Sequence, residues 1–439
     1  MPVLLWTDGL FLLVLLAMGG FLAYVRRSEH FIRPWHSTIT SRSARVSLVI
    51  LLGFLLIGVA DSLHFRPKGV STQGELLSVL DYWLESPRTH TEKTYSAPLA
   101  THGYVREQVV DDQGLSLWTY PRLQYGGSHL RDPDKERGPD LLERAGWGAL
   151  KAGGLIWPIL ALLQVMRRKN RVPGPAVLTF VLLCLLTGVV REWADQYHVL
   201  GTDKVGEDVL YQSLKSIRTG LMMGVLTTLA TVPLALGLGV MAGYFRGWVD
   251  DVIQYLYTTL NAIPGVLLIA ASMLIMQAYM ARHEAQFASL AVRADFRLLA
   301  LCLILGLTSW TGLCRLLRAE TLKIREMDYV MAARALGVST PRILLRHILP
   351  NVFHLVLISL VLDFSSLVLA EAVLSYVNIG VDPATYSWGN MINSARLEMA
   401  REPVVWWSLT AAFLFMFTLV LSANLFADAV RDAFDPRRN

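Results

Sequence analysis

Long apolar runs alternate with charged segments along this chain, and the runs are continuous rather than periodic. Nine stand out, at 3–24, 46–60, 149–166, 175–190, 219–243, 253–280, 298–314, 353–378 and 404–426. A hydrocarbon layer of about 30 Å needs about 20 helical residues, and only helix pairs its own backbone groups there. The pattern predicts membrane-crossing helices, with 46–60 the shortest run and 149–166 interrupted by Lys151 and Pro158. Together the nine hold four charged residues, Asp8, Lys151, Asp363 and Glu371, in 190 positions. The expected fold is an all-α polytopic membrane protein.

Charge orients the runs. Lys and Arg of short loops stay on the cytoplasmic side. They gather in 25–45 (Arg26, Arg27, Arg33, Arg42, Arg45), in 167–174 (Arg167, Arg168, Lys169, Arg171) and in 315–352. Nine alternating spans put all three inside, together with the tail Arg431, Arg437 and Arg438, and leave the N-terminus and 61–148 outside. The first run lacks a basic segment before it and is longer than a secretory signal core, so it reads as a retained anchor. A hydrophobic content of 54% with 17% charged residues excludes disorder and argues against a soluble enzyme.

Segment 61–148 has ordinary soluble composition. Val105–Val110 and Leu115–Tyr120 flank Asp111-Asp112-Gln113-Gly114, the pattern of a hairpin whose glycine takes a positive φ. A small mixed α and β cap is expected, with the charge run 131–137 solvated. Cys184, Cys302 and Cys314 fall in or at the ends of runs, so no disulfide framework is implied. Phosphate-binding chemistry is missing too: there is no Gly-Lys dipeptide, hence no P-loop. His283-Glu284 starts a zincin-like string, but Phe287 stands where the second histidine belongs.

The most informative segment is the loop 315–352, within it Tyr329 to Pro350. Its residues read as a helix ended by Gly337 in the left-handed conformation, then a second helix with Thr340 as N-cap and Pro341 at its first position. Ala332 and Ala333 leave room for another surface to approach, and Arg334, Arg342 and Arg346 offer charge to an acidic partner. Inside the spans, Asp363 and Glu371 are the costly residues. Eight positions apart on one helix, they sit within about 80° of each other and could face one cavity. Gly239 and Gly243 form a small-xxx-small pair for close helix packing. Trp388, Trp406 and Trp407 lie where an aromatic boundary belt is expected.

The spacing Ala332-Ala333, Gly337 and His347 before Leu349-Pro350 resembles the EAA loop of the membrane subunits of bacterial ABC importers, with Met331 in place of the family's glutamate. His198-Val199-Leu200-Gly201-Thr202-Asp203 through Asp208-Val209-Leu210, Gly243 to Asp250, Ile263-Pro264-Gly265, Glu371 to Tyr376 and Ser387 to Met391 match, in order, the C-type permeases of dipeptide and oligopeptide importers. The resemblance is dense over 191–439. Ser96 to Ala100 and Leu117 to Pro121 resemble the outer insertion of the Yej-type peptide permease.

This resemblance implies a type I ABC-importer transmembrane core, with extra N-terminal helices and a small extracytoplasmic α+β insertion. Its expected divisions are an anchor and first span (1–60), the insertion (61–148), an additional transmembrane hairpin (149–190) and the permease core (191–439). It implies a coupling helix, built from Tyr329, Ala332, Ala333, Arg334, Gly337, Arg342, His347 and Pro350, that docks into a cytoplasmic ATPase. No cofactor is expected in this chain, because ATP and Mg are bound by two partner ATPase subunits. The other implied partners are a homologous B-type permease and an extracytoplasmic peptide-binding protein, in the bacterial inner membrane and with no nucleic acid. A secondary transporter or channel using the 219–426 core, and a sensor whose cap binds a ligand, are the competing readings.

Overall fold

A computed structural model describes residues 2–25, 38, 41–66, 76–110, 116–166, 174–284, 287 and 289–434. The elements run β1 (Pro2–Val3), α1 (Trp6–Val25), α2 (Arg42–Ser62), β2 (His64–Phe65), β3 (Leu77–Ser78), α3 (Val79–Trp83), α4 (Glu85–Thr89), β4 (Glu107–Val110), β5 (Ser116–Thr119), α5 (Pro133–Met166), α6 (Gly174–Ala194) and α7 (Val209–Phe245). They continue with α8 (Trp248–Ala262), α9 (Gly265–Arg282), α10 (Leu290–Arg325), α11 (Asp328–Ala335), α12 (Thr340–Ile343), a π-helical turn (Leu344–Ile348), α13 (Leu349–Tyr376), α14 (Trp388–Glu398) and α15 (Trp407–Phe434). The protein is all-α and polytopic, with sheet confined, among the described residues, to two small antiparallel patches.

Among the described residues, six helices are long and apolar enough to cross a membrane: α2, α6, α7, α9, the continuous stretch Thr340–Tyr376, and α15. The nine runs map onto these unevenly. The run 253–280 is two helices, because Pro264 has no N–H to donate and α8 stops at Ala262. The run 149–166 is the end of the 34-residue α5, whose first half is charged, and 298–314 lies inside the 36-residue α10. Run 3–24 forms α1, in which Trp6–Gly20 is a shorter apolar helix. Arg26, Arg27, Arg33, Arg167, Arg168, Lys169, Arg171, Arg437 and Arg438, on which the orientation partly rests, lie outside the described residues. So does the turn 111–114.

The chain divides into two compact units. The first comprises Met1–Val3, Ser41–Thr219 and Tyr386–Ser422. Here α5 and α6 form an antiparallel pair whose backbones touch at Gly148 and Gly188, where a Cβ on either would collide with the other's carbonyl. The hairpin pairs Glu107 with Thr119 through Val110 with Ser116, as the two flanking patterns predict. Segment 92–99 lies along 198–206, with Glu92 N–H donating to the Gly206 carbonyl (3.0 Å), Thr202 N–H to Ser96 (3.1 Å) and Leu99 N–H to His198 (2.8 Å). Gly206, at φ +80°, is required there, since a Cβ would run into the Glu92 carbonyl.

Two buried charge clusters tie this unit together. His198 Nδ1 lies 2.8 Å from Asp208 and its Nε2 3.5 Å from Glu92. Burial opposes the charge of this imidazole, yet the two carboxylates push its pKa up to about 9. Burial likewise opposes the Glu92 charge, but His198 and the backbone N–H groups of Gln124, Tyr125 and Gly126 hold it at about 2. In the second cluster Lys215 Nζ contacts Asp61 (2.6 Å) and Asp81 (2.9 Å), while Tyr211 O–H donates to Asp81 (2.8 Å) and Ser78 O–H to Asp61 (2.7 Å). Trp388 and Trp407 are not belt residues. Both are buried, their indole N–H groups donating to the Ser213 and Thr202 carbonyls (3.2 and 2.9 Å), and only Trp406 of the three is exposed.

The second unit comprises Leu4–Thr40, Gly220–Thr385 and Ala423–Asn439. The start of α1 is capped by another helix: Trp6 N–H (2.9 Å), Thr7 N–H (3.3 Å) and the Thr7 hydroxyl all donate to the Asp295 carboxylate at the start of α10. That satisfies donors a helix N-terminus otherwise leaves unpaired. Gly239 and Gly243 do serve close packing within this chain. They let α7 lie directly on α10 at Cys314, Leu317, Arg318 and Thr321. Asp250 of α8 receives two bonds from the Arg318 guanidinium of α10 (2.5 and 2.7 Å), which hold its carboxyl below the usual range against a smaller effect of burial. The three cysteines are free.

Candidate functional site

The basic loop between α10 and α13 lies wholly in the second unit, and its local sequence explains its shape. Helix α11 ends at Ala335 with Leu336 as C-cap, and Gly337 follows at φ +74°. Gly337 N–H donates to the Arg334 carbonyl (3.0 Å) and Val338 N–H to the Ala333 carbonyl (3.1 Å). These two bonds are a Schellman motif, which satisfies carbonyls the helix end leaves over. The second helix starts one residue earlier than its sequence suggests, with Ser339 as N-cap and Thr340 and Pro341 inside.

From Thr340 the backbone stays helical to Tyr376. A five-residue π turn interrupts it at Leu344–Ile348, where Leu349 N–H reaches back to the Leu344 carbonyl. Pro350 accounts for the turn: it cannot donate to the Arg346 carbonyl, and its ring would press on that oxygen in a regular α-helix. The widened turn accommodates both without ending the helix.

One side of the loop is locked in place. Val330, Ala333, Ile343 and Ile348 are buried in a cluster with Tyr244, Ile253, Tyr257, Leu317, Ile324, Val352 and Val356. The other side is bare and apolar, carrying Tyr329, Met331, Leu336 (83% exposed) and Leu345. Ala332 therefore faces outward, as an approach surface requires, but Ala333 faces the core. Arg334 lies over the Tyr244 ring at 5.4 Å, on the same ring as Arg325, which also donates to the Tyr244 carbonyl (2.6 Å). Arg342 and Arg346 are exposed with no acidic partner among the described residues. At the root, the His347 and Tyr329 rings are 6.2 Å apart, and Asn351 Nδ2 donates to both the Tyr329 hydroxyl (3.1 Å) and the His347 carbonyl (2.6 Å). The loop sequence carries no signal for Tyr244, Arg325 or Asn351 as its supports, since only the packing of α7 on α10 brings Tyr244 there.

The two span carboxylates separate. Asp363 stands at the centre of α13, exposed, with no side-chain partner among the described residues. Glu371 is 1% exposed and accepts a bond from Ser375 Oγ (2.7 Å), whose oxygen also receives the Val381 N–H (3.4 Å). They do not share a cavity: one faces outward and the other fastens the end of its helix to the following turn.

In the second unit the apolar-tipped loop is thus seated between two long helices, α10 and α13. The chain belongs to the family of binding-protein-dependent transport system inner membrane components, which it matches over residues 235–439. It is 31% identical over 250 residues to the glutathione transport system permease protein GsiD of Pectobacterium atrosepticum, covering 56% of this chain and 75% of that one. It is 30% identical over 239 residues to the oligopeptide transport system permease protein OppC of Mycobacterium tuberculosis (54% and 76%). Over 243 residues it is 30% identical to the dipeptide transport system permease protein DppC of Lactococcus lactis (55% and 64%), so that match spans just under two thirds of the relative. The chain is thus a multi-pass permease subunit of the inner membrane.

Proposed function

We propose that this subunit forms half of the translocation path of an ATP-driven peptide importer. The other half comes from a homologous second permease, an extracytoplasmic binding protein delivers the peptide, and two cytoplasmic ATPase subunits bind ATP and Mg. The nine-span arrangement with a cytoplasmic C-terminus belongs to the same reading. A channel or secondary transporter is not favoured, because the family is that of binding-protein-dependent systems.

The observation that carries the proposal is mechanical continuity. The exposed tip around Leu336 is joined through the short turn 337–339 to the continuous helical stretch of α12, the π turn and α13, while its rear side is packed into the ends of α7, α8 and α10. A push on the tip is passed to these helices as a rigid-body movement, which suits exchange between outward-open and inward-open states. Tyr329, Ala332, Arg334, Gly337, Arg342, His347 and Pro350 are the coupling set, with Ala333 as the inner support. Asp363 is the stronger path candidate: a carboxylate at mid-span costs about 2.5–3.5 kcal/mol against lipid, so its face is expected to meet water or another subunit.

The test is reconstitution with the co-expressed second permease, ATPases and binding protein. Peptide-stimulated ATP hydrolysis and uptake are expected. No Cβ clash surrounds Gly337. Gly337→Asn, which tolerates the left-handed conformation, should retain most uptake, whereas Gly337→Val should lose most of it with membrane insertion intact. Equal uptake by the two variants, or ATPase activity indifferent to peptide, overturns the reading.

A further inference from the structure

The first unit exposes aromatic residues that the translocation reading does not use, and they sit at the ends of its apolar helices. Helix α3 stands on the last turn of α2: Val79 N–H donates to the Leu63 carbonyl (3.1 Å), and Ser78 bonds Asp61. It leaves Tyr82 76% exposed and Trp83 partly so. In the last turn of α6, Arg191 lies over the Trp83 ring at 5.2 Å and donates to its carbonyl (2.9 Å). The adjacent Glu192 pairs with Lys151 of α5 at 2.6 Å, one turn below the exposed Trp147. At the start of α15, Tyr104 donates to the Val404 carbonyl (3.0 Å) and sets its ring edge-on to Trp407 at 4.8 Å, beside the exposed Trp406. Two residues beyond Tyr104, Arg106 stacks over Tyr120 at 5.2 Å, and the hairpin this pair opens leaves Trp118 68% exposed.

Tyr82, Trp83, Trp147, Trp118, Tyr120 and Trp406 thus come from four separate stretches of sequence, the first three tied to the ends of α2 and α6 and the last three lying near the start of α15. Exposed apolar residues continue below them, as Leu182 and Leu186 on α6 and Phe413 and Phe417 on α15 show. We propose that helix α3 and the β4–β5 hairpin form a collar that lies in the headgroup region of the bilayer, so that the insertion's exposed aromatic face is a lipid-binding surface. Amphipathic rings gain most at that boundary, where one edge is apolar and the other wet. Arg106 and Arg191, each stacked on one of these rings, place guanidinium groups at the depth of lipid phosphates. Continuity with the lipid-facing side of the spans selects lipid over a soluble protein, which would need a patch facing away from the membrane.

The collar is tested in phosphatidylethanolamine–phosphatidylglycerol vesicles, using the full chain with Cys184, Cys302 and Cys314 replaced and a single NBD-labelled cysteine at Tyr82→Cys, Trp118→Cys or Lys135→Cys. Lys135 is the control, since it lies 16 residues before Lys151 on α5, or about 24 Å along the helix. Brominated lipid should quench the labels at 82 and 118 several-fold more than the label at 135, and aqueous iodide should do the reverse. On the unaltered chain, diazirine-bearing lipids should photolabel the peptides containing 79–83 and 116–120. Labels at 82 and 118 that behave like 135, or photo-adducts confined to the spans, overturn the proposal. Shielding that arises only when a soluble binding protein is added assigns the face to that protein and overturns it equally.

Discussion

His198 shows how one residue acquires a role its neighbours in sequence do not announce. Between Asp208 and Glu92 its imidazole titrates at about 9, above the ordinary 6.5. A group whose pKa is raised on folding contributes stability fully below the unfolded value and loses it as pH rises through the folded one. The His198 contribution is therefore whole below about 6.5 and gone above about 9. Glu92, depressed to about 2 from 4.5, works the other way and contributes above 4.5, fading as pH falls towards 2. Thermal unfolding of the purified chain should show a midpoint that falls between pH 6.5 and 9, and His198→Gln should flatten that fall. A wild-type midpoint unchanged across this window would remove the charged triad. The sequence marks His198 and Asp208 as part of a motif, but Glu92 carries no pattern of its own.

At the scale of elements, Lys215 links α7 to α2 and α3. Removing one member of a buried ion cluster leaves an uncompensated charge and costs about 3–5 kcal/mol, whereas neutralising all members together is close to neutral. Lys215→Met should lower the unfolding midpoint markedly, and the triple change Lys215→Met, Asp61→Asn, Asp81→Asn should recover most of it. Failure of the triple variant to recover would mean that Lys215 acts through something other than charge. Element types were readable beforehand where pattern is local. Runs of apolar residues, the Gly337 stop and the alternation around 107–119 all declare themselves over a few residues. The break at Pro264 shows the limit: a continuous apolar run says nothing about where a helix ends, whereas a missing N–H does.

Across the whole molecule, the segment 61–148 is structural to the unit that holds it. It supplies Asp81 and Glu92 to the two buried clusters, lays 92–99 along 198–206, and shares α5 with the helical pair that follows. Deleting 76–130 should therefore lower the thermal stability of the remaining chain by more than either Lys215→Met or Glu92→Ala alone, measured in one detergent. A deletion as stable as the parent would make the segment a tethered accessory instead.

The sequence by itself determined the membrane class, the glycine-hinged basic loop and its family likeness. Each depends on composition or spacing within a short window, and the bilayer and the helix end act on that window directly. Only the tertiary structure decided which charges are paired. Asp363 and Glu371 share a helix and nearly a face, yet one looks outward and the other is buried against Ser375, because burial depends on what packs against each turn. The same holds for Glu92, Asp81 and the aromatic residues at the span ends, whose partners come from distant parts of the chain.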